Sequence, residues 1–569
     1  MNAVFSRLRG GDGARALVSV ALVAAAMVIT SVTLLWGMTG RSTTPPQHDG
    51  TAHGFIVARV IHTESISPRD VLVSDGSGRH QSYAYYPLGL HSSLAIAQGI
   101  SSADIGHLLD TTTVFFAALV LPLSLFALTR FLLPAPALAA PFAALVGAVL
   151  SLFPYNPVRW SGIPLIVSMV LVPVSVVLVT RTITSEWSRS AAVLCSLVLV
   201  AGFAVHNSQL PLLLALVVLL VAARHVGAWS WEFVQRVGAR LVWIGAISVV
   251  LLAPTLGQIV AGGSERYSFH EPGRETIDEF LGRLLTLDVY GPARQGWIAC
   301  GAVVGIALLL WRRRQIVWIA AAIMIGALAT VAAVSDDGFS RLVTFPWYRQ
   351  AERVAYNLVF FVPVFAGFFL GLAAWGIADG LTRARSGRGP HASTRVRRRS
   401  AWTVVLAAGL VAGATIPLTV AHAIDTNRHL VRRAYTTSPV QEDSVRAFKF
   451  IARNSRSRDL VLNDPNDGSM WMYALAGARP LFALEPHNAP YLNRSWRQRV
   501  YLLTHFGELG RDARVDELVR QLRVRFVYFG ETTYPGQKHT ISLATLRSVP
   551  GLREVFHRGP AHVFAVSPA

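Results

Sequence analysis

The sequence predicts an α-helical polytopic membrane protein of about eleven spans with an extracytoplasmic C-terminal α/β domain. Three observations carry this. Of the 569 residues, 52% are hydrophobic and 15% are charged, against about 25% charged in an ordinary soluble protein. Mean hydropathy is +0.44. Apolar runs near membrane length recur to about residue 420, after which the periodicity changes. The predicted division is therefore a membrane part, 1–420, and an outer part, 421–569.

The spans fall at 16–38, 109–130, 136–153, 162–180, 190–205, 208–223, 240–260, 294–311, 315–334, 354–380 and 401–420. The first run follows Arg7, Arg9 and Arg15, but its apolar stretch is too long for a secretory signal. It reads as an uncleaved span with the N-terminus in the cytoplasm. Arginine placement supports that orientation. The inner side receives Arg312-Arg313-Arg314 and the stretch Arg383 to Arg399, which holds seven arginines and no acid. The outer side receives loops 39–108, 261–293 and 335–353 together with the tail. The expected location is the plasma membrane, multi-pass, in contact with membrane lipids.

A formal charge of +20 and a pI near 10.8 raise the question of nucleic acid. No basic helix or zinc-ligand spacing accompanies them, and many arginines sit in short loops between apolar runs, so a nucleic-acid partner is excluded. Only Lys449 and Lys538 are lysines. The tail itself carries 21 Lys/Arg and 13 Asp/Glu, a balance of +8. Cys195 and Cys300 lie in apolar runs and act as small hydrophobes. No internal repeat is evident, and ionisable residues within the spans are sparse, which weighs against a flippase or ion-coupled carrier.

From Ser438 the pattern is that of a compact α/β domain. Ser438-Pro439-Val440-Gln441 reads as a helix start, with a hydroxyl cap, proline at the first helical position and glutamine three residues on. That helix is expected to reach about Arg453. A strand over Asp459–Asn463 ends in the turn Asp464-Pro465-Asn466-Asp467-Gly468. Helices are expected near 469–476, 493–506 and 511–522, then a strand over Arg523–Phe529 and a closing hairpin of Leu552–His557 with Ala561–Val566.

The chemistry is expected at the outer face. The first external loop holds Gln47-His48-Asp49-Gly50-Thr51-Ala52-His53 and, further on, Tyr85-Tyr86-Pro87-Leu88-Gly89-Leu90-His91. On a helix starting near Asp49, Asp49 and His53 are i and i+4 and share one face. They could bind a divalent cation such as Mg or Mn, or form an acid/base pair; alternatively, Asp49 caps the helix. The ragged apolar stretch Phe55 to Ile66 could lie along the membrane surface. In the third external loop, Tyr348-Arg349-Gln350-Ala351-Glu352-Arg353 puts a guanidinium at the mouth of a span, where it could grip a phosphate or merely snorkel beside Trp347 and Tyr348. Asp336-Asp337 reads as a loop cap. Arg159-Trp160 and His206-Asn207 lie in short outer turns that could line the same cavity, and Arg266, His270 and Glu271 occupy another outer loop. Asp75-Gly76-Ser77-Gly78 reads as a turn, since no strand-then-helix context surrounds it.

A long first span, an acid just outside it, a juxtamembrane helix, the Tyr86-Pro87-x-Gly89-x-His91 stretch, many further spans and an outer α/β domain resemble the GT-C superfamily. These are integral-membrane glycosyltransferases that take sugar from a polyprenyl-phosphate carrier. The chain looks most like actinobacterial relatives of the cell-envelope arabinofuranosyl- and mannosyltransferases. The turn Asp464 to Ser469 and Trp471-Met472-Tyr473 are similar to outer domains of that group. The resemblance implies Asp49 as catalytic base or metal-linked acid, with His48 and His53 beside it. It also implies Tyr86, His91, Arg159, His206, Arg349, Glu352 and Arg353 as donor- and acceptor-binding residues. Many relatives carry two adjacent acids where this chain has His48-Asp49, so either His48 fills that role or catalysis has been lost. The implied partners are a polyprenyl-phosphate sugar and a cell-envelope glycan, lipid or protein acceptor. A non-catalytic assembly protein on the same scaffold is the alternative.

Overall fold

The computed structural model describes residues 11–39, 44–72, 86–185, 187–225, 230–261, 275–291, 294–386, 420–483 and 494–567. The membrane part is built from helices because a spanning chain must satisfy its backbone polar groups internally. In chain order they are α1 (Gly11–Met38), α2 (Gln47–Thr63), α3 (Gly89–Ser101), α4 (Ile105–Leu132), α5 (Ala139–Val149), α6 (Ile163–Thr184), α7 (Arg189–Val205), α8 (Gln209–Arg224), α9 (Trp231–Ala261), α10 (Ile277–Leu285), α11 (Gly296–Trp311), α12 (Ile316–Val334) and α13 (Ala351–Asp379).

Ten of the eleven expected spans are helical where the sequence places them; the last, 401–420, lies almost wholly outside the described residues. By length and composition the count differs. Among the described residues six helices are long and apolar enough to cross a membrane, and α5 with its continuation Ser151–Val158, bent by 42°, makes a seventh. Helices α7, α8 and α11 have 16 or 17 residues. At a 1.5 Å rise these reach only about 24–26 Å, short of a hydrocarbon core of roughly 30 Å.

Close packing in the membrane part relies on small residues. A Cβ on Gly367 would meet the Ala143 nitrogen at 2.6 Å and the Ala139 carbonyl at 2.7 Å, and one on Gly371 would meet the Ala139 nitrogen at 2.7 Å. On another side of α13, a Cβ on Gly305 of α11 would fall 2.1 Å from the Phe365 carbonyl oxygen. Helix α9 instead turns Val242, Trp243 and Val250 outward. Arg15, Arg312 and Arg314 line one cavity of about 790 Å³ with Gly371 and Trp375, so the start of α1 and the end of α11 share one end of the bundle.

Helix α14 (Ala421–Thr436) packs against α1: a Cβ on Gly37 would lie 2.6 Å from Val431 Cβ. Its Ala423, Val431 and Tyr435 belong to the core of the membrane helices. The elements that follow are α15 (Glu442–Asn454), β1 (Leu460–Leu462), α16 (Arg494–His505), α17 (Ala513–Gln521), β2 (Val524–Gly530), β3 (Leu552–Arg558) and β4 (Ala561–Val566). The sheet runs β1-β2-β4-β3, with β1 parallel to β2 and the remaining pairs antiparallel.

The elements match the expected ones, but α15 starts later than predicted. Its cap is Gln441, which forms a capping box with Ser444, not Ser438. Tertiary contacts hold the preceding residues out of the helix: Val440 is fully buried, Thr532 donates to the Pro439 carbonyl, and Gly468 closes over both residues. The turn after β1 is held by its acids. Asp464 accepts from the Asn466 and Thr540 amides, and buried Asp467 from those of Ser469 and Gly530.

Candidate active site

Helix α2 begins at Gln47 with Pro46 in the cap position and no side-chain cap bond. Asp49 is thus in the first helical turn and is not the cap. Its backbone neighbours are fixed by the turn between α5 and α6. Ser161 Oγ donates to the Pro46 carbonyl at 2.6 Å, and a Cβ on Gly50 would meet the Pro45 carbonyl at 2.9 Å and Ser161 Oγ at 3.0 Å. The same turn carries Arg159 and Trp160, whose ring folds over Gly162. The first-loop acid and this turn are therefore assembled together.

Phe55, Ile56, Val57 and Ala58 of α2 are buried. They do not lie along a membrane surface as the ragged pattern suggested. Phe55 packs on Tyr473, 5.3 Å between ring centres, and Gly54 lies against the indole of Trp471. Thr51 Oγ1 pairs with the Tyr534 hydroxyl at 3.1 Å. The C-terminal elements thus clamp the helix that carries Asp49 and His53.

One turn after Asp49, His53 is buried, and its Nδ1 lies 3.1 Å from Nε2 of His91 on α3. The Tyr86 ring stands against both, 6.5 Å from His53 and 5.7 Å from His91. Helix α3 reaches this place because Gly89 lets it approach the end of α7: a Cβ there would fall 2.8 Å from the Ala204 carbonyl oxygen. The residue ending α7 is His206, buried and paired through Nδ1 with Ser208 Oγ at 2.7 Å. Its ring meets Tyr348 edge-on, 6.0 Å between centres.

Tyr348 and Arg349 both have left-handed backbone, φ 55° and 61°, a conformation costing about 1–3 kcal/mol per non-glycine residue. The strained turn aims Tyr348 at the site. The Arg353 guanidinium sits between two aromatic rings, 4.8 Å from Trp160 and 4.9 Å from Tyr348. Glu352 accepts from the Tyr356 hydroxyl at 3.3 Å and faces Arg159 Nη2 at 3.8 Å, and Trp160 Nε1 donates to Tyr356 at 3.3 Å. Spacing could have revealed Tyr356: Glu352 and Tyr356 are i and i+4 on one helix.

Electrostatics bind the cluster together. Burial lowers His53 well below the usual imidazole range, and His91, His206 and Arg353 lower it further. Burial brings His91 to about 3, a backbone hydrogen bond to Pro87 opposing. His206 also falls to about 3, through burial and then Arg353. All three imidazoles are neutral at working pH. Burial raises the Tyr348 phenol, with Arg353 pulling it down and the Asp49 carboxylate pushing it up, so both charges act on one ring.

The structure brings Asp49, His53, Tyr86, His91, Arg159, His206, Glu352 and Arg353 into this neighbourhood. Arg349 is half-buried beside Tyr348, and among the described residues its side chain makes no hydrogen bond or ion pair. His48 lies in the first turn of α2, and its side chain is outside the described residues. Asp337 caps the helix Gly338–Val343 and Asp336 pairs with Arg341 at 2.9 Å, so these two acids close a loop. Arg266, His270, Glu271 and the turn at Asp75 lie outside the described residues. Among the described residues the one group of three His, Cys or carboxylate side chains with ligand atoms within 4.8 Å of one another is Glu554, His557 and His562, which includes neither Asp49 nor His53. His53 Nδ1 already faces His91.

No curated protein matches the chain. Among solved structures, it is similar to ArnT from Cupriavidus metallidurans bound to undecaprenyl phosphate, with TM-score 0.52 and 14% identity over 96% of this chain and 97% of that one. It is also similar to the Archaeoglobus fulgidus oligosaccharyltransferase tethered with an acceptor peptide, with TM-score 0.49 and 14% identity over 90% and 69% of the two chains. At such identity the likeness is one of fold, and the fold is that expected from the GT-C resemblance, a polytopic membrane protein. A sequence model for a family of unknown function, DUF6541, matches residues 2–567, and the chain belongs to that family.

Proposed function

We propose that the protein is a membrane glycosyltransferase that moves a sugar from a polyprenyl-phosphate carrier to a cell-envelope glycan, glycolipid or protein acceptor. In this reading residues 1–420 form the membrane machinery, the N-terminus is cytoplasmic, and reaction occurs at the outer face beneath the domain 421–569. The observation that carries it is Tyr348, over whose ring the Arg353 guanidinium lies at 4.9 Å and whose phenol feels the Asp49 carboxylate. The undecaprenyl phosphate bound by the similarly folded ArnT supports a lipid-phosphate donor.

Asp49 takes the proton of the acceptor hydroxyl as that oxygen attacks the anomeric carbon. The bond from that carbon to the carrier phosphate breaks, and negative charge gathers on the leaving phosphate. Arg353, already held by two aromatic faces, stabilises it. The neutral histidines orient the sugar hydroxyls, each able to donate and accept. Direct attack inverts the anomeric centre.

A scaffold without catalysis would leave Asp49 as a mere helix cap; its position one turn before His53, with Pro46 in the cap, favours the enzyme. Transfer from radiolabelled lipid-linked sugar into membrane acceptors tests this. Asp49→Asn should lower transfer by about 10²–10⁴-fold with unchanged thermal unfolding. Undiminished transfer would remove Asp49 from the mechanism.

A further inference from the structure

The hairpin that closes the sheet brings together three metal-binding side chains, far from the site above in sequence. Glu554 and His557 are three residues apart on β3, a spacing that in a regular strand puts side chains on opposite faces. The register of β3 on β4 shifts between Glu554 and Phe556, so Glu554 stands opposite Phe564 and His557 opposite His562. Positions 562 and 564 share a face of β4, so the extra residue turns Glu554 and His557 to one side. One ligand atom from each of Glu554, His557 and His562 then lies within 4.8 Å of the others.

The imidazole of His562 is buried, with Nδ1 2.7 Å from Glu554 Oε1 and Nε2 3.0 Å from Glu531 Oε1. An imidazole with one proton satisfies one of these carboxylates. Donation from Nε2 to Glu531 leaves the Nδ1 lone pair facing a carboxylate oxygen, two acceptors in contact. A metal ion on Nδ1, with Nε2–H donating to Glu531, satisfies both contacts. His557 supplies a third donor within 4.8 Å; its ring stacks on His562, 4.3 Å between centres and 15° from parallel, and must turn out of that stack for both lone pairs to reach one ion. Glu531 stands where an orienting carboxylate stands behind metal-bound histidines.

We propose that Glu554, His557 and His562 bind a divalent transition metal of the zinc class, with Glu531 fixing the His562 tautomer. Two imidazoles, one carboxylate and an exposed side are the donor set of zinc sites that keep a fourth position open. Tetrahedral zinc needs ligand atoms roughly 3.3 Å apart, from bonds of about 2.0–2.1 Å, so the His562–Glu554 contact opens on loading. The site reaches the rest of the protein through the segment after Glu531, whose Tyr534 touches Thr51 on α2. It stands independently of the glycosyltransferase reading.

The test uses the full chain in detergent, made without a polyhistidine tag and stripped with chelator, then titrated with Zn²⁺ alone by calorimetry and by thermal unfolding. One saturable Zn²⁺ with a rise in Tm is expected, not displaced by an excess of Mg²⁺. Glu554→Gln and His557→Asn should each weaken binding more than about tenfold and abolish the rise in Tm. Both side chains are on the exposed face, so the test does not require replacing buried His562. No saturable binding by the native chain would leave a proton in the site and overturn the proposal. Native affinity in both variants, or displacement by Mg²⁺, would overturn it equally.

Discussion

Replacing Gly54 by alanine tests whether the C-terminal elements position α2, the helix of the proposed base Asp49. The added Cβ would lie 2.2 Å from Trp471 Cζ3 and 2.7 Å from Cη2, where ordinary contact begins at 3.4 Å, so something must yield by about 1.2 Å. Trp471 is fully buried and has no room to swing aside. Overpacking of this kind costs about 1–3 kcal/mol, and the gain in helix propensity over glycine returns about 1 kcal/mol. The net loss of stability is therefore modest. The loss of activity is not: α2 carries Asp49 and His53, and a misplacement near 1 Å at reacting groups costs about 10²-fold. The expected signature is a small fall in Tm with a roughly hundredfold fall in transfer from lipid-linked sugar. Trp471→Phe in the same chain removes the clashing outer ring carbons and should restore much of the transfer. Native-level transfer by Gly54→Ala alone would refute the reasoning.

Two further outcomes follow from the same geometry. Arg353→Lys keeps the charge but loses the planar group that fits between Trp160 and Tyr348, so transfer should fall about tenfold or more and the KM for the lipid donor should rise; equal kinetics for the two would show that only charge matters there. The buried histidines make stability depend on acid. A free imidazole titrates near 6.5, and His91 and His206 lie at about 3, so between those limits the unfolded chain binds more protons than the folded one. Stability is then lost as pH falls, by about 1.4 kcal/mol per pH unit for each histidine. Unfolding in detergent between pH 7 and pH 4 measures this; a Tm that rises on acidification would contradict neutral, buried imidazoles.

Much of the fold is legible in the chain because apolar length and tail periodicity are local properties. The hairpin Leu552–Arg558 with Ala561–Val566 and the strand Val524–Gly530 fall within a residue of expectation. The start of α15 is not legible locally: Ser438-Pro439 has the form of a cap, while burial of Val440 and the approach of Gly468 are tertiary. The outer ends of the spans offered Arg159, His206 and Arg353 as candidates, and position alone suffices for that. The His53–His91 pair was not legible as a contact. It depends on the close approach of Gly89 to Ala204, which no window of sequence contains. Burial of Phe55 to Ala58 is illegible for the same reason: their cover, Trp471 and Tyr473, is more than four hundred residues away along the chain.

The glycine contacts of α13 bear on how the proposed donor could enter. Gly367 and Gly371 bring the backbone of α13 against that of α5, and Gly305 brings the backbone of α11 against it at Phe365. Backbones this close cannot slide past each other without losing contact along the whole seam, because packed interiors shift between discrete arrangements instead of deforming smoothly. The helix that presents Arg353 is thereby a fixed wall. On the proposed function, admission of a long isoprenoid and departure of its phosphate would then fall to α2 and α3 with the C-terminal elements that clamp them.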